Sequence, residues 1–252
     1  SVDAARMATD EKGLQEEILR EVLARTSRIS FAETPPHMAR HIHRIVREKS
    51  GVDDPYRHIK ERFNRIALGK LKELKATVRE SDHPFETAIR LAIAGNVIDF
   101  GVASWQADSL LWEAVTETLD SPFTIDHLSR LREAIGKAND ILYLLDNAGE
   151  IVFDRLLLRQ LPRDRVTGVV KGEPIINDAT RRDAHEAGLD SLIGLISNGS
   201  DAPGTILSTC SADFRRRFDE ADLVVAKGQA NYETLSNIAK QNLFFLLKVK
   251  CK

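Results

Sequence analysis

Apolar residues recur along this chain with two different periods. From the start to about residue 138 they return every three or four positions, the spacing that gives a helix one apolar face. Met7, Leu14, Ile18, Leu19, Val22 and Leu23 predict an amphipathic helix within residues 1–30. Thr34-Pro35-Pro36 closes that element and opens the next, with Thr34 placed as an N-cap and a proline in the first turn. Met38, Ile42, Ile45 and Val46 mark a second helix. Ile59, Phe63, Ile66, Leu71, Leu74 and Val78 mark a third, after a turn over 51–55 where Asp53 or Asp54 could act as the cap. The opposite side of that third helix is rich in Lys and Arg and lacks interleaved aromatics, so it reads as a solvated face. Three more helical pieces are predicted over 85–94, around 110–119 and around 128–135.

From residue 139 the period changes. The stretches 141–145, 166–170, 192–196 and 223–226 are short apolar runs of strand length. Each is followed by polar residues with a glycine, then by a helix-compatible segment. That alternation predicts βαβ units and a parallel sheet. The expected fold is therefore α/β. An N-terminal helical subdomain (1–138) packs on a doubly wound, mostly parallel, Rossmann-like sheet (139–252).

In such a sheet the polar ends of the strands gather at one edge, where open α/β sheets bind their ligands. Asp146, Asn147, Asp178, Asn198 and Lys227 fall there. A lone Asp146 could simply cap the next helix. A second acid, Asp178, placed in the same way after the next strand weakens that explanation. Asp146, Asn147 and Asp178 together offer hard oxygen donors suited to an open Mg²⁺ or Mn²⁺ site, and such ligands also accept Co²⁺ or Ni²⁺. Lys227, beside Gly228 where the backbone can approach closely, could hold a phosphate oxygen at a helix N-terminus. Asn96 and Asp99 lie within an apolar segment, where an unpaired polar group is costly. Either they make structural hydrogen bonds, or they reach the site from the helical layer. The loop 197–201 reads as a lining of the site, and Cys210 as a small buried hydrophobe.

Composition narrows the classes. A net charge of −2 over 252 residues gives no electrostatic footprint for nucleic acid or an anionic membrane. Two cysteines, Cys210 and Cys251, do not make a disulfide framework. No apolar run reaches membrane-spanning length and no signal segment is visible, so a cytoplasmic enzyme or binding protein is expected. Neither a P-loop nor a Gly-x-Gly-x-x-Gly occurs, which speaks against nucleoside-triphosphate and dinucleotide enzymes. Oligomeric state is not legible.

Five separated segments carry a resemblance. They are Gly95-Asn96-Val97-Ile98-Asp99, Asp146-Asn147-Ala148-Gly149-Glu150, Lys171-Gly172-x-Pro174-x-x-Asn177-Asp178-Ala179-Thr180, Ser197-Asn198-Gly199-Ser200-Asp201-x-Pro203-Gly204-Thr205, and Lys227-Gly228-Gln229-Ala230-Asn231-Tyr232-Glu233. In order and content they resemble the damage-control phosphatase family, long called domain of unknown function 89, and most of all its archaeal-type branch. The phosphatase domain fused to some pantothenate kinases is related. The resemblance implies a metal-dependent phosphatase of small phosphomonoesters, such as sugar phosphates or phosphopantetheine-like and damaged phosphometabolites, serving metabolite repair. It implies Asp146, Asn147 and Asp178 as metal ligands and matches its Gly-Asn-x-x-Asp motif and late lysine to Asn96, Asp99 and Lys227. The charge of a phosphomonoester then makes Asp146, Asp178 and Asp99 the expected catalytic groups, and strand-end placement adds Asn198 and Gly228 to Asn96 and Lys227 around the phosphate. Members of the branch usually open with a Cys-x-x-Cys segment that this sequence does not contain. Two rival readings are an S-adenosylmethionine-dependent methyltransferase and a non-catalytic phosphometabolite-binding module. The glycine spacing after the first strand is wrong for the first, and the second leaves the metal-suited cluster unexplained.

Overall fold

The computed structural model describes residues 2–30, 32–97 and 107–249; Asp99 and Cys251 lie outside the described residues. Five strands, β1 (Ile141–Leu144), β2 (Val166–Val170), β3 (Gly194–Ser197), β4 (Leu223–Lys227) and β5 (Leu243–Leu246), form one sheet. Its order is β3-β2-β1-β4-β5 and every pairing is parallel, not merely most of them. β1 is central, with Ile141 opposite both Val166 and Leu223. The chain walks outward through β2 and β3, then returns to the other side of β1 to make β4. The ends of β1 and β4 therefore flank the point where the strand order reverses, the standard crevice of doubly wound sheets.

Alternate residues of each strand point to opposite faces, and here they feed two cores. Ile141, Tyr143 and Leu145 join one core with residues of α4 (Arg57–Glu80), α5 (Pro84–Ala94) and α8 (Glu150–Leu158). Leu142, Leu144, Val224 and Ala226 join the other, against Phe214 and Phe218 of α10 (Ala212–Glu220) and Leu235 of α11 (Gly228–Leu235). Helices thus cover both faces, and α4 and α5 of the helical half share a core with the sheet. Burying a side chain such as Phe153, which is fully enclosed, contributes roughly 1.5–3 kcal/mol.

Several local expectations are corrected. The single helix expected within 1–30 is two, α1 (Val2–Ala8) and α2 (Lys12–Thr26). Thr9 breaks it: its hydroxyl accepts from Glu11 N and its carbonyl from Gln15 Nε2, a side-chain alternative to the helical ladder. α1 and α2 pack with α3 (Pro35–Ser50) around Ile18, Val22, Ile45 and Val46. Thr34 occupies the N-cap position of α3, but its hydroxyl pairs with His37 Nδ1 at 2.9 Å instead of a backbone amide. Asp54 does not cap α4. It accepts from Lys60 at 3.1 Å, while Tyr56 stands at the cap. Lys60 also shows that the basic face of α4 is not all solvated. It is fully buried, with Asp183 of α9 (Arg181–Glu186) 3.0 Å away, and Arg57 reaches the same carboxylate at 2.7 Å. Those charges are a joint between α4 and α9. The remaining helices are α6 (Ala107–Asp120) and α7 (Leu128–Lys137). Among the described residues no helix is long and apolar enough to cross a membrane.

Candidate active site

The loop leaving β1 neither caps α8 nor wanders. Gly149, not Asp146 or Asn147, holds the N-cap position, at φ +81°. Only glycine adopts that backbone without strain, and a Cβ there would come within 2.9 Å of Phe63 Cβ. Gly149 N donates to Asn64 Oδ1 at 2.7 Å, so α4 pins the turn. The loop after β2 is stitched to it through the backbone. Ala148 N donates to Asn177 O at 2.8 Å and Ala179 N to Asp146 O at 2.7 Å, with Asn147 bridging Asp178. Two strand ends distant in sequence therefore present Asp146, Asn147 and Asp178 as one unit. Ile176, directly before Asn177-Asp178, has φ +45°. A β-branched residue in the left-handed region is an outlier costing about 1–3 kcal/mol, of the kind that clusters at functional sites.

Acids and amides converge here away from water. Asn96, which follows α5, donates through Nδ2 to Asp146 Oδ2 and to Glu150 Oε2, both at 2.8 Å. Asn147 Nδ2 donates to the same two oxygens, at 2.8 and 3.0 Å. From the opposite side of the switch point, Gly228 presses its backbone on Asp146. Its φ is +78°, and a Cβ there would lie 1.8 Å from Asp146 Oδ2. Burial pushes the Asp146 carboxyl well above the ordinary carboxylate range, and Glu150 and Asp178 push it further by like-charge repulsion. Burial likewise raises Asp178, against the pull of Lys171.

The lysines are placed differently from the sequence reading. Lys227 is fully buried, and its ammonium donates to Glu150 Oε1 at 2.5 Å, Asp154 Oδ1 at 2.8 Å and Ala92 O at 2.9 Å. All three protons are thus committed within the protein. Burial disfavours that charge, but Asp154 and Glu150 outweigh it and hold the Lys227 pKa above its ordinary value. Burial also takes Asp154 up to about 6 despite Lys227, and Tyr143 donates to its Oδ1 at 2.8 Å. The lysine beside the paired loops is Lys171. Its Nζ lies 3.2 Å from Asp178 Oδ2 and donates to Gly204 O. Asn198 Oδ1 accepts from Gly172 N at 3.1 Å and Ser200 N at 2.9 Å, ordering the loop after β3.

The donor set fits a hard divalent cation. Asp146, Asn147 and Asp178 bring carboxylate and carboxamide oxygens from two loops held in fixed register. Asp178 Oδ2 is buried and meets the Lys171 ammonium at 3.2 Å, so one positive charge already stands at this edge of the donor set. No group of three or more His, Cys, Asp or Glu side chains gathers as a cage among the described residues, so the set in question is two carboxylates and one amide. Glu150 and Asp154 were outside the sequence-derived site. Their signal was present: Glu150 and Asp154 are spaced by four, which puts both carboxylates on one face of α8.

An open parallel sheet with an acid-amide pair at its switch point and a second acid one strand away defines the doubly wound α/β class, with its crevice at the strand ends. A family profile described as "Damage-control phosphatase ARMT1-like domain" matches residues 1–252. The chain belongs to the damage-control phosphatase family. It is 37% identical over 254 residues to a protein of Archaeoglobus fulgidus named damage-control phosphatase, covering 98% of this chain and 87% of that one. A damage-control phosphatase of Pyrococcus horikoshii is 41% identical over 204 residues, 80% of this chain and 69% of the relative. An uncharacterised protein of Methanocaldococcus jannaschii is 36% identical over 262 residues, 100% and 85%. Among solved structures, a DUF89-family protein of Pyrococcus horikoshii superposes with TM-score 0.85 at 33% identity, covering 99% of this chain and 87% of that chain.

Proposed function

We propose that the protein hydrolyses small phosphomonoesters with the help of a divalent cation held by Asp146, Asn147 and Asp178. The single observation that carries the metal reading is the backbone stitching that presents these three side chains together. A cation bound there would supply positive charge to the oxygens of a dianionic phosphoryl group. The protein's own groups do the rest. The first turns of α8 and α11 open at the site, and their amides favour an anion. Lys171 adds a positive charge beside Asp178. Asp178 and Asp99, the latter assigned from its sequence motif alone, orient the attacking water; water adds to phosphorus, the ester oxygen leaves with a proton, and alcohol and inorganic phosphate result.

In this reading Asn96 and Asn147 fix the Asp146 rotamer, and Lys227 keeps Glu150 and Asp154 neutralised beneath it. A carboxylate so tightly placed suits cation binding better than nucleophilic attack. Mn²⁺, Mg²⁺, Co²⁺ and Ni²⁺ all suit such oxygen donors. The reaction is tested by phosphate-ester hydrolysis on metal-stripped protein with each cation restored.

A further inference from the structure

α3 carries Arg40, Arg44 and Arg47 at spacings of four and three, which places them on one face of the helix. That face looks onto the turn after β3. Asp201 there takes Arg40 Nε at 2.6 Å and Arg47 Nη2 at 3.0 Å, and Arg44 binds it through Nε and, at 3.2 Å, through Nη2. Burial would raise the Asp201 carboxyl, but Arg44 and Arg40 hold it down at about 2. Three guanidiniums thus share one carboxylate. Both terminal nitrogens of Arg40 and Nη1 of Arg44 make no hydrogen bond among the described residues. A cavity of about 520 Å³ opens in front of them. Glu48 and Glu173 also line it, but both are exposed and neither pairs with an arginine.

The cleft adjoins the proposed phosphate site. Gly172, next to Lys171, packs so closely on the turn that a Cβ would meet Gly199 C at 2.5 Å, and Gly172 N donates to Ser200 O at 3.0 Å. At the other end of the same loop Gly204 O takes Lys171 Nζ, beside Asp178. Asp201 and Gly204 are three residues apart, a reach of at most about 10 Å. The two ends of this one short loop thus meet the arginines and Lys171 respectively, so a group bound by the arginines and a phosphate at Asp178 and Lys171 would share it as a wall. Forked guanidiniums with unused donors suit a planar or tetrahedral oxyanion.

We propose that this arginine cleft is a subsite for a second anionic group, a carboxylate or a phosphate, at the far end of the substrate. The preferred substrate is then a phosphomonoester with a negative charge at each end. This inference rests on the phosphatase reading for the first anion, and calorimetric binding separates the two. The probes are 6-phosphonohexanoate, with two anionic ends, and hexylphosphonate, with one, titrated in the presence of Mn²⁺. The wild-type protein is expected to prefer the first by at least about tenfold, the equivalent of one good charged contact. In Arg44→Gln the preference should fall to within about twofold while hexylphosphonate binding is unchanged, because Arg40 and Arg47 still hold Asp201. Arg44→Lys, which keeps the charge and loses the fork, should fall between. Equal affinity for the two probes in the wild type, or a preference that Arg44→Gln leaves intact, overturns the subsite whether or not the protein hydrolyses esters. An arginine-dependent preference in a protein without turnover would keep the subsite and remove the hydrolytic reading.

Discussion

Gly228 and Lys227 are neighbours with opposite duties. At Gly228 the Asp146 carboxylate and the start of α11 come so close that no side chain fits. Gly228→Ala should displace Asp146 and lower kcat/KM by at least about 100-fold, the scale of a displacement near 1 Å at a reacting centre. Its far-ultraviolet dichroism should be unchanged; full activity in this variant would mean that Asp146 is not at the reacting centre. Lys227 is the counter-charge for Glu150 and Asp154. Lys227→Met leaves two buried acids without it, and breaking such a pair costs about 3–5 kcal/mol. Denaturant unfolding should show that loss. Unchanged stability with abolished turnover would instead assign the ammonium to the phosphate. Asp146 is legible in the sequence because it ends an apolar run, and Asp178 because it stands in the polar stretch that follows the next one. The partnership of Lys227 is not, because Ala92, Glu150 and Asp154 become its neighbours only when α5 and α8 pack against the sheet.

At the scale of elements, α3 joins the N-terminal helices to the loop after β3 through its arginines, and it also carries a titrating group inward. His43, whose ring meets Tyr56 edge-on at 5.5 Å, is lowered by burial from 6.5 to about 4. A folded-state pKa below the unfolded value means the unfolded chain takes up the proton first. Stability from this group is therefore complete above pH 6.5 and is lost as the pH falls towards 4. The loss is on the order of 2–3 kcal/mol. His43→Phe, which keeps a ring against Tyr56, should lose correspondingly less stability between pH 7 and pH 4. Parallel unfolding curves for the two proteins over that range would remove His43 from the account. The four strands expected from apolar runs appear within a residue or two, since a buried parallel strand has apolar residues on both faces. The break between α1 and α2 escapes the apolar period because it is made by the side chain and carbonyl of Thr9, a local competition that helical spacing does not register.

Taken whole, the molecule brings its chemistry to one edge of one sheet. α4 and α5 close the face that α8 leaves, Asn64 and Asn96 reach from them to the β1 loop, and the β4 end supplies Gly228. Strand order sets the edge and helix packing completes it, and the family profile spans the same residues, 1–252. The central claim is that Asp146, Asn147 and Asp178 hold a cation that phosphomonoester hydrolysis requires. The most direct measurement is release of nitrophenol from p-nitrophenyl phosphate by metal-stripped protein, with Mn²⁺, Mg²⁺, Co²⁺ or Ni²⁺ restored one at a time, beside Asp146→Ala. Activity that returns with a cation in the wild type, and falls by more than about 1,000-fold in a folded Asp146→Ala protein, is the predicted result. Hydrolysis that survives stripping, or a cation-restored rate that Asp146→Ala retains, would contradict it.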